Sequence, residues 1–432
     1  MKIVVVGGGA GGLELATFLG RKLGAKGKAE VLLIDRNHTH LWKPLLHEVA
    51  VGSLDAEIDA VSYRAHGHKY GFRFKLGTFH NLDRERKLVH LAPVLDDNGD
   101  IILPEREESY DRLIMAIGSG ANDFGIPGVA SHCMFLDNSR QALRFQKTLV
   151  NGFIRLNRTL ISNPQACLNI VIVGGGATGV ELAAELFNAR QLFELYGLDR
   201  VTADHLNVTI LEAGPRLVPN LSPRVSASVL GELAKAGASV RLGTQVARAE
   251  KGIFHTAAGE EIRGDILVWA AGIKAPDFLR EIGGLESNRI NQLLVTATLQ
   301  TTRDNAIYAI GDCAGCRLGE DRWVPPRAQS AHQMASLVAA NLLRDLAGKP
   351  LKDFKYKDHG SLISLSQYAT VGVLMGNLGR GSSFNVRGWL ARMAYISLYR
   401  MHQIALHGPF RALLMVIADR INHIIRPRLK LH

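Results

Sequence analysis

The chain has 432 residues, 47% hydrophobic and 21% charged, a balance that supports large buried cores in two or three domains and excludes a disordered or fibrous polypeptide. Four cysteines without dense spacing (Cys133, Cys167, Cys313, Cys316) exclude a disulfide scaffold and fit a reducing compartment. The formal charge of +11 is lopsided: residues 377–432 carry nine Lys or Arg against one acid, Asp419, which implies an anionic partner for the tail, a membrane surface or a nucleic acid.

The first expected strand starts at Lys2, leaving no room for a cleavable signal ahead of it. Residues 2–19 read KIVVVGGGAGGLELATFL: an apolar β-branched run, a G-x-G-x-x-G with Gly7, Gly9 and Gly12 in its three positions, then a helix start. In such a fingerprint the first glycine allows a tight turn, the second lets backbone approach a pyrophosphate, and the third permits close helix–strand packing. AEVLLIDR follows and ends a strand at Asp35, placed to accept hydrogen bonds from an adenosine ribose. Short strands such as FRFKLG and KLVHLA precede a return strand that begins at Asp111 and ends in Ala116-Ile-Gly118. Residues 137–160 read as a connecting helix capped by Asp137 or Asn138.

The pattern then recurs at an offset of 167 residues. Residues 169–186, NIVIVGGGATGVELAAEL, place Gly174, Gly176 and Gly179 in the motif; LNVTILEA ends at Glu212; and a strand from Asp265 ends in Ala270-Ala-Gly272. The alternative, a chance match of apolar strands, does not account for the shared order of fingerprint, acid and return strand. IYAIGDCA, residues 307–314, gives a further strand, expected to return to the first sheet and bring Asp312 to its nucleotide; a turn or cap is the plainer reading of that aspartate alone. A helix is expected to begin at about 328. The fold class expected is α/β, with two Rossmann-like domains binding two dinucleotides, naturally a flavin and a nicotinamide. The expected boundaries are 1–125 and 291–355 for the first domain, 126–165 for the connector, 166–290 for the second domain and 356–432 for a tail.

In that tail, residues 360–376 read as strands and 388–407 as an apolar segment with scattered Arg, His and aromatic residues. Residues 410–426 form an amphipathic helix: Phe410, Leu413, Leu414, Ile417, Ile421, Ile424 and Ile425 on one stripe, Arg411, Asp419, Asn422, His423 and Arg426 opposite. A surface helix packed on the core would look the same. The basic charge and flanking Trp389, Tyr395 and Tyr399 favour a helix lying in a membrane interface with an anionic lipid surface over a nucleic-acid partner. No run is long and apolar enough for a transmembrane helix.

The whole chain resembles the bacterial type II NADH:quinone oxidoreductases, non-proton-pumping respiratory enzymes. The resemblance rests on DRNHTHLWKPLLHEVAVGSLD, NDFGIPGV, GGGATGVELAAEL, VWAAGIKAPDFL, YAIGDCA, PPRAQSAHQMA, SLYRMHQIALHG and RPRLKLH. It implies FAD on Gly7, Gly9, Gly12 and Asp35, with Ala116, Gly118, Asp312 and Ala328 around its other half. It implies NADH on Gly174, Gly176, Gly179, Glu212 and Gly272. Glu212 would repel the 2′-phosphate of NADPH, although Arg216 stands near enough to accommodate one. The family's Ala-Gln motif matches Ala328-Gln329-Ser-Ala331-His-Gln333, which makes Gln329 and Gln333 candidates for positioning quinone; Arg327 replaces the small residue common before that alanine. Glu181 matches a family glutamate beside the flavin, but Glu14 holds the same place in the first copy, where a helix dipole alone would favour it. The resemblance further implies a peripheral enzyme on the cytoplasmic face of the inner membrane, reducing a ubiquinone- or menaquinone-type acceptor, with a homodimer left open.

Other readings remain at this point. Cys313-Ala-Gly-Cys316 is a C-x-x-C, and a soluble NAD(P)H-dependent disulfide reductase would pass electrons to it. A sulfide:quinone oxidoreductase would not keep an intact nicotinamide fingerprint. A non-catalytic NADH sensor with a nucleic-acid-binding tail is the rival from another class. Histidine and cysteine spacing gives no metal site.

Overall fold

Long β-branched runs, buried on both faces, dictate parallel strands at the centre of each unit. The computed structural model describes residues 1–56, 60–96, 98–189, 196–320, 322–365, 369–375, 383–387 and 389–425. Counting only elements used below, the chain runs β1 (Lys2–Val6), α1 (Ala10–Lys22), β2 (Glu30–Asp35), α2 (Leu46–Val51), α3 (Tyr63–Tyr70), β3 (Arg73–Leu76) and β4 (Arg112–Met115). Helix α4 (Ser139–Thr159) leads into β5 (Leu168–Val173), α5 (Ala177–Leu186), β6 (Leu206–Leu211), α6 (Pro223–Ala236), β7 (Ser239–Arg241) and β8 (Ile266–Trp269). Then come β9 (Gln300–Thr301), β10 (Asp304–Ala309), α7 (Ala328–Leu346), β11 (Gly360–Leu365), β12 (Ala369–Met375), β13 (Ser383–Arg387), α8 (Trp389–His407) and α9 (Pro409–Ile425).

The first sheet has the order β9-β10-β4-β1-β2-β3, parallel except for β9. Strand β10 enters beside β4 with Leu113 opposite Ile307 and Met115 opposite Ala309. Ile3, Val4 and Val5 of the central strand are fully buried, each stabilising the fold by roughly 1.5–3 kcal/mol. The second sheet, β7-β6-β5-β8, is wholly parallel. The chain is therefore an α/β protein with two Rossmann-like units.

Two segments tie the units together. Helix α4 starts at Asn138, whose side chain accepts from the Gln141 amide at 3.0 Å; Asp137 instead accepts from the Ala121 amide at 2.8 Å. Its buried face (Phe145, Leu149, Phe153) shares a core with Val49 of α2 and Val180 of α5. The tail folds β11, β12 and β13 into an antiparallel sheet. Ile363 and Leu365 of β11 join the core of the second unit, while Leu406 of α8 joins that of the first. The terminal RPRLKLH, with Arg426, lies outside the described residues.

Candidate functional site

The two fingerprints are built alike. At Gly7 (φ +104°) a Cβ would lie 2.3 Å from the Ala116 carbonyl oxygen, and at Gly12 it would lie 1.9 Å from that of Gly7. At Gly9 it would meet nothing within 4 Å. The outer glycines are demanded by the protein's own packing, and the middle one faces open space at the N-terminus of α1. Unpaired amides and the positive end of the helix dipole meet there, an environment suited to a diphosphate. The second copy repeats this: 2.7 Å to Ala270 at Gly174 (φ +113°), 2.0 Å to the Gly174 oxygen at Gly179, and nothing at Gly176.

Around the first cradle lies a cavity of about 870 Å³, large enough for a dinucleotide cofactor. Its walls include Gly7, Gly9, Gly12, Asp35, Ala116, Gly118, Asp312, Ala328 and, from the second unit, Ala177, Thr178 and Glu181. Asp35 accepts from the amides of Gly8 at 2.7 Å and Asn37 at 2.8 Å, which fixes its carboxylate at the rim. Asp312, just past β10, accepts from Ser119 Oγ at 2.7 Å, and its carbonyl accepts from Gln292 Nε2 at 2.9 Å. The segment 39–47 supplies another wall through His40, Trp42, Lys43, Pro44 and His47. Lys43 Nζ donates to the Ser119 carbonyl at 2.8 Å. The sequence assigns these residues no role of their own, although the stretch DRNHTHLWKPLLHEVAVGSLD that contains them carries part of the family resemblance.

Gly174, Gly176, Gly179, Glu212 and Gly272 stand outside that cavity and form the second cradle. Glu212 accepts from the amides of Gly175 at 2.6 Å and Gly214 at 2.7 Å. Arg216 donates to the carbonyls of Leu221 at 2.9 Å and Pro219 at 2.6 Å, so its guanidinium is occupied with its own loop. Helix α5 links the sites: its N-terminus closes the second cradle and its next turn carries Glu181 into the cavity wall.

Glu181 is buried. Its Oε1 accepts from the Ser364 amide of β11 at 3.1 Å, and its Oε2 lies 3.8 Å from His47 Nδ1. Burial, with the nearby Glu48 charge, pushes its carboxyl up to about 8, opposed by the Ser364 hydrogen bond. Burial likewise lowers His47 to about 4, so the facing imidazole is neutral. At neutral pH Glu181 therefore holds a proton on the wall between the two cradles.

Gln329 and Gln333 lie one turn apart on α7 but outside the cavity wall. Gln329 Nε2 donates to Gly360 O at 3.1 Å and Asp358 Oδ1 at 3.3 Å, and its Oε1 accepts from the His359 amide at 3.1 Å. Gln333 pairs with both the carbonyl (2.8 Å) and the amide (2.9 Å) of Lys357. The two glutamines clamp the strap 357–360 onto α7. Arg327, Ala328 and Ala331 of the same segment face the cavity, and Arg327 lies 3.6 Å from Asp358.

Cys313 and Cys316 are free and buried. Burial pushes both thiols up to about 11, and Cys313 Sγ donates to backbone carbonyls, among them Met115 O at 3.4 Å. Neither supplies the thiolate that disulfide exchange requires. Among the described residues no group of three or more His, Cys, Asp or Glu is placed to hold a metal ion.

The tail helices turn their apolar stripe outward. Met401, Ile404, Phe410, Leu413, Leu414, Ile417 and Ile421 are all exposed, Phe410 by 71%. Arg411, from the polar side, faces the body and donates to Tyr70 Oη at 3.1 Å. Core packing within this chain therefore does not explain the stripe. The side chains of Ile424 and Ile425 lie outside the described residues. No helix among the described residues is long and apolar enough to cross a membrane.

Comparison with known proteins gives consistent matches. The family model for pyridine nucleotide-disulphide oxidoreductases matches residues 1–335. A type II NADH:quinone oxidoreductase of Haemophilus influenzae is 49% identical over 442 residues, covering 100% of this chain and 99% of the relative. One from Staphylococcus aureus is 28% identical over 380 residues, covering 87% and 90%. Among solved structures, NDH2 from Plasmodium falciparum in complex with NADH superposes with a TM-score of 0.79 at 20% identity, covering 99% of both chains. The sulfide:quinone oxidoreductase of Aquifex aeolicus gives 0.72 at 18% identity, covering 100% of this chain and 96% of the other. These last two share the fold.

Proposed function

This chain belongs to the type II NADH:quinone oxidoreductases of the pyridine nucleotide-disulphide oxidoreductase family, enzymes that oxidise NADH and reduce quinone, and from that premise we propose how its residues divide the work. Residues 1–125 and 291–355 hold FAD, 166–290 hold NADH, and 356–432 give quinone access from a membrane surface. The observation that carries this reading is the single cavity reaching from the Gly7–Gly12 cradle to Glu181 on the helix of the other cradle.

The residues present fit FAD. The open space at Gly9 by the α1 N-terminus would take its diphosphate, and Asp35, Gly118 and Asp312, which line the same cavity, would hold it, Asp35 as acceptor for a ribose hydroxyl. When bound, FAD supplies the two-electron chemistry between nicotinamide and quinone. The protein's part is to bind and orient. Gly174, Gly176 and Gly179 seat the NADH diphosphate, and Glu212 takes the adenosine ribose and disfavours a 2′-phosphate. Gly272 turns the chain beside that cradle. Ala177, Thr178 and Glu181 form the shared wall, where Glu181 keeps a proton within the site and water is displaced. Gln329 and Gln333 position the acceptor side by fixing the strap 357–360 beside Arg327 and Ala328.

Quinone resides in the bilayer, which gives the outward stripe of α8 and α9 its purpose: it seats the enzyme peripherally in an anionic lipid surface on the cytoplasmic face. Ubiquinone- and menaquinone-type acceptors both suit this arrangement. Anaerobic addition of NADH to the purified holoenzyme should bleach the flavin absorbance, and a quinone should restore it. Bleaching without recovery would reject the acceptor assigned here.

A further inference from the structure

Glu14 of α1 is buried beneath two histidines that come from distant parts of the chain. Its Oε2 lies 2.5 Å from Nδ1 of His332 on α7, and its Oε1 lies 2.6 Å from Nδ1 of His402 on α8. His402 Nε2 in turn lies 3.0 Å from His40 Nε2, and His40 Nδ1 lies 2.9 Å from the Gly8 carbonyl oxygen. The row has one open end and one functional end. The His332 side chain is 38% exposed, whereas His40 is buried and lines the large cavity.

Hydrogen-bond chemistry fixes where the protons sit. A carbonyl only accepts, so His40 donates from Nδ1 to Gly8 and, being neutral, offers Nε2 as a bare acceptor. The 3.0 Å contact then requires a proton on His402 Nε2. The Glu14 side puts another on His402 Nδ1, since the carboxylate can only accept. Burial alone would raise Glu14, but the hydrogen bonds from His332 and His402 outweigh it and hold the carboxyl below its usual range. The same bond raises His332 above an ordinary imidazole. His40 is pushed down to about 3, by burial first and then by His402. A proton forced onto His40 is therefore held weakly and is released.

We propose that His332, Glu14, His402 and His40 form a proton-input line that carries a proton from solvent to the cavity wall. The proposal rests on the quinone reductase reading and supplies a step it requires. NADH gives up two electrons and one proton together, and a quinone takes two electrons and two protons, so each turnover draws one proton from water. In the line, His402 passes its Nε2 proton to His40 Nε2. His40 then gives up its Nδ1 proton to the cavity, and the Gly8 carbonyl is not orphaned because Tyr63 Oη also donates to it at 2.8 Å. A proton taken up at His332 moves to Glu14; the His402 ring turns its bare nitrogen to Glu14 and takes that proton, and the His40 ring turns its remaining N–H back to the Gly8 carbonyl, which restores the starting pattern. Other titratable or charged groups packed around the line are His66 of α3, His407 of α8, Tyr63, and at its edge Arg21, Lys69 and Arg411. His66 bonds sideways to Thr17 Oγ1 at 2.9 Å.

The test uses the holoenzyme and two acceptors. Quinone needs protons, whereas ferricyanide takes electrons only. His332→Asn should lower kcat for quinone about tenfold, leave the KM for NADH and the ferricyanide rate in place, and recover when imidazole is added to the buffer. An unchanged quinone rate from pH 6 to 9, an equal loss with both acceptors, or a loss that imidazole does not rescue would each overturn the line. Independently of turnover, ¹⁵N spectra of histidine-labelled protein should show a proton on each ring nitrogen of His402, assigned by its disappearance in His402→Gln, as its contacts to His40 and Glu14 require. That signature should vanish in Glu14→Gln, and its persistence there would also overturn the proposal. The wild-type quinone rate in the same assay reports separately on the function itself.

Discussion

Glu14 and Glu181 occupy the same turn of two repeated helices, each five residues past the middle glycine of its fingerprint, yet they hold their protons oppositely. Glu14 has imidazoles at 2.5 and 2.6 Å and is held below the usual carboxylate range. Glu181 has one backbone amide at 3.1 Å and a neutral His47, and is pushed up to about 8. What differs is the tail element laid against each: α8 brings a histidine to the first, and β11 brings only backbone to the second. A repeated scaffold thereby carries one charged and one neutral carboxyl, a pairing that separates acid from base roles.

Glu181 makes stability depend on pH. Its folded value lies above the ordinary 4.5, so the folded state binds more protons and its contribution, complete below 4.5, is lost as pH rises towards 8. Glu181→Gln keeps the neutral shape and removes this slope. Thermal unfolding between pH 5 and 8 should show the wild type losing Tm relative to the variant. Parallel curves would mean that Glu181 is not buried with its proton.

Acid should loosen the tail by the opposite sign. His40 and His66 are lowered to about 3, and His47 and His407 to about 4, chiefly by burial. These groups stabilise the fold above 6.5, and that contribution is lost as pH falls towards 4. Lowered Glu14 adds a further loss below 4.5. Circular dichroism melts should show Tm falling from pH 6.5 downward; a flat Tm from pH 7 to 4.5 would contradict the burial of neutral imidazoles.

The two cradles should fail separately. Gly12→Ala drives a methyl to 1.9 Å from the Gly7 oxygen, and Gly179→Ala does the same at 2.0 Å from that of Gly174. The first variant should purify without flavin absorbance. The second should keep its flavin and lose NADH-dependent bleaching. A Gly179→Ala protein that lost flavin while Gly12→Ala retained it would reverse the assignment.

Removing Glu212 should weaken NADH use without creating an NADPH enzyme. The carboxylate accepts from two amides that Glu212→Ala leaves unpaired, so kcat/KM for NADH should fall by about tenfold or more. Arg216 is already bonded to Pro219 and Leu221, so the gain for NADPH should be small. A full inversion of the ratio of the two kcat/KM values would show that this arginine is available after all.

Charging the outward stripe should detach the protein from lipid. Leu413 and Ile417 are 57% and 47% exposed, so Leu413→Glu combined with Ile417→Glu should leave Tm in place. Co-sedimentation with anionic vesicles should drop about tenfold or more. Unaltered vesicle binding would move the lipid contact elsewhere, and binding of the wild type to duplex DNA would revive the nucleic-acid reading of the basic tail.

The nucleotide architecture was legible because its causes are local. A glycine whose Cβ would strike a backbone oxygen a few residues away, or an acid closing a strand, leaves the same trace wherever it occurs. The α9 stripe was legible as a stripe, but its outward direction depends on Arg411 reaching Tyr70, 341 residues away. Gln329 and Gln333 showed one-turn spacing, but their partners at 357–360 could not be read from it. The meaning of Glu14 lay further still, set by His332 and His402 at separations of 318 and 388 residues. No periodicity records such pairings, which exist only once helices from both ends of the chain are packed together.

The seating of β10 beside β4 also has a consequence during synthesis. The strand that completes the first sheet is made nearly 190 residues after its neighbour, an interval of roughly 10–40 s at ribosomal rates of about 5–20 residues per second. Throughout that time Leu113, Ile114 and Met115, all fully buried in the finished protein, stand on an open edge able to pair with the wrong strand. Meanwhile the second sheet, whose strands all lie between 168 and 269, can close. The nascent chain thus completes its second nucleotide fold before its first, and the early half depends on being shielded until the late strand arrives.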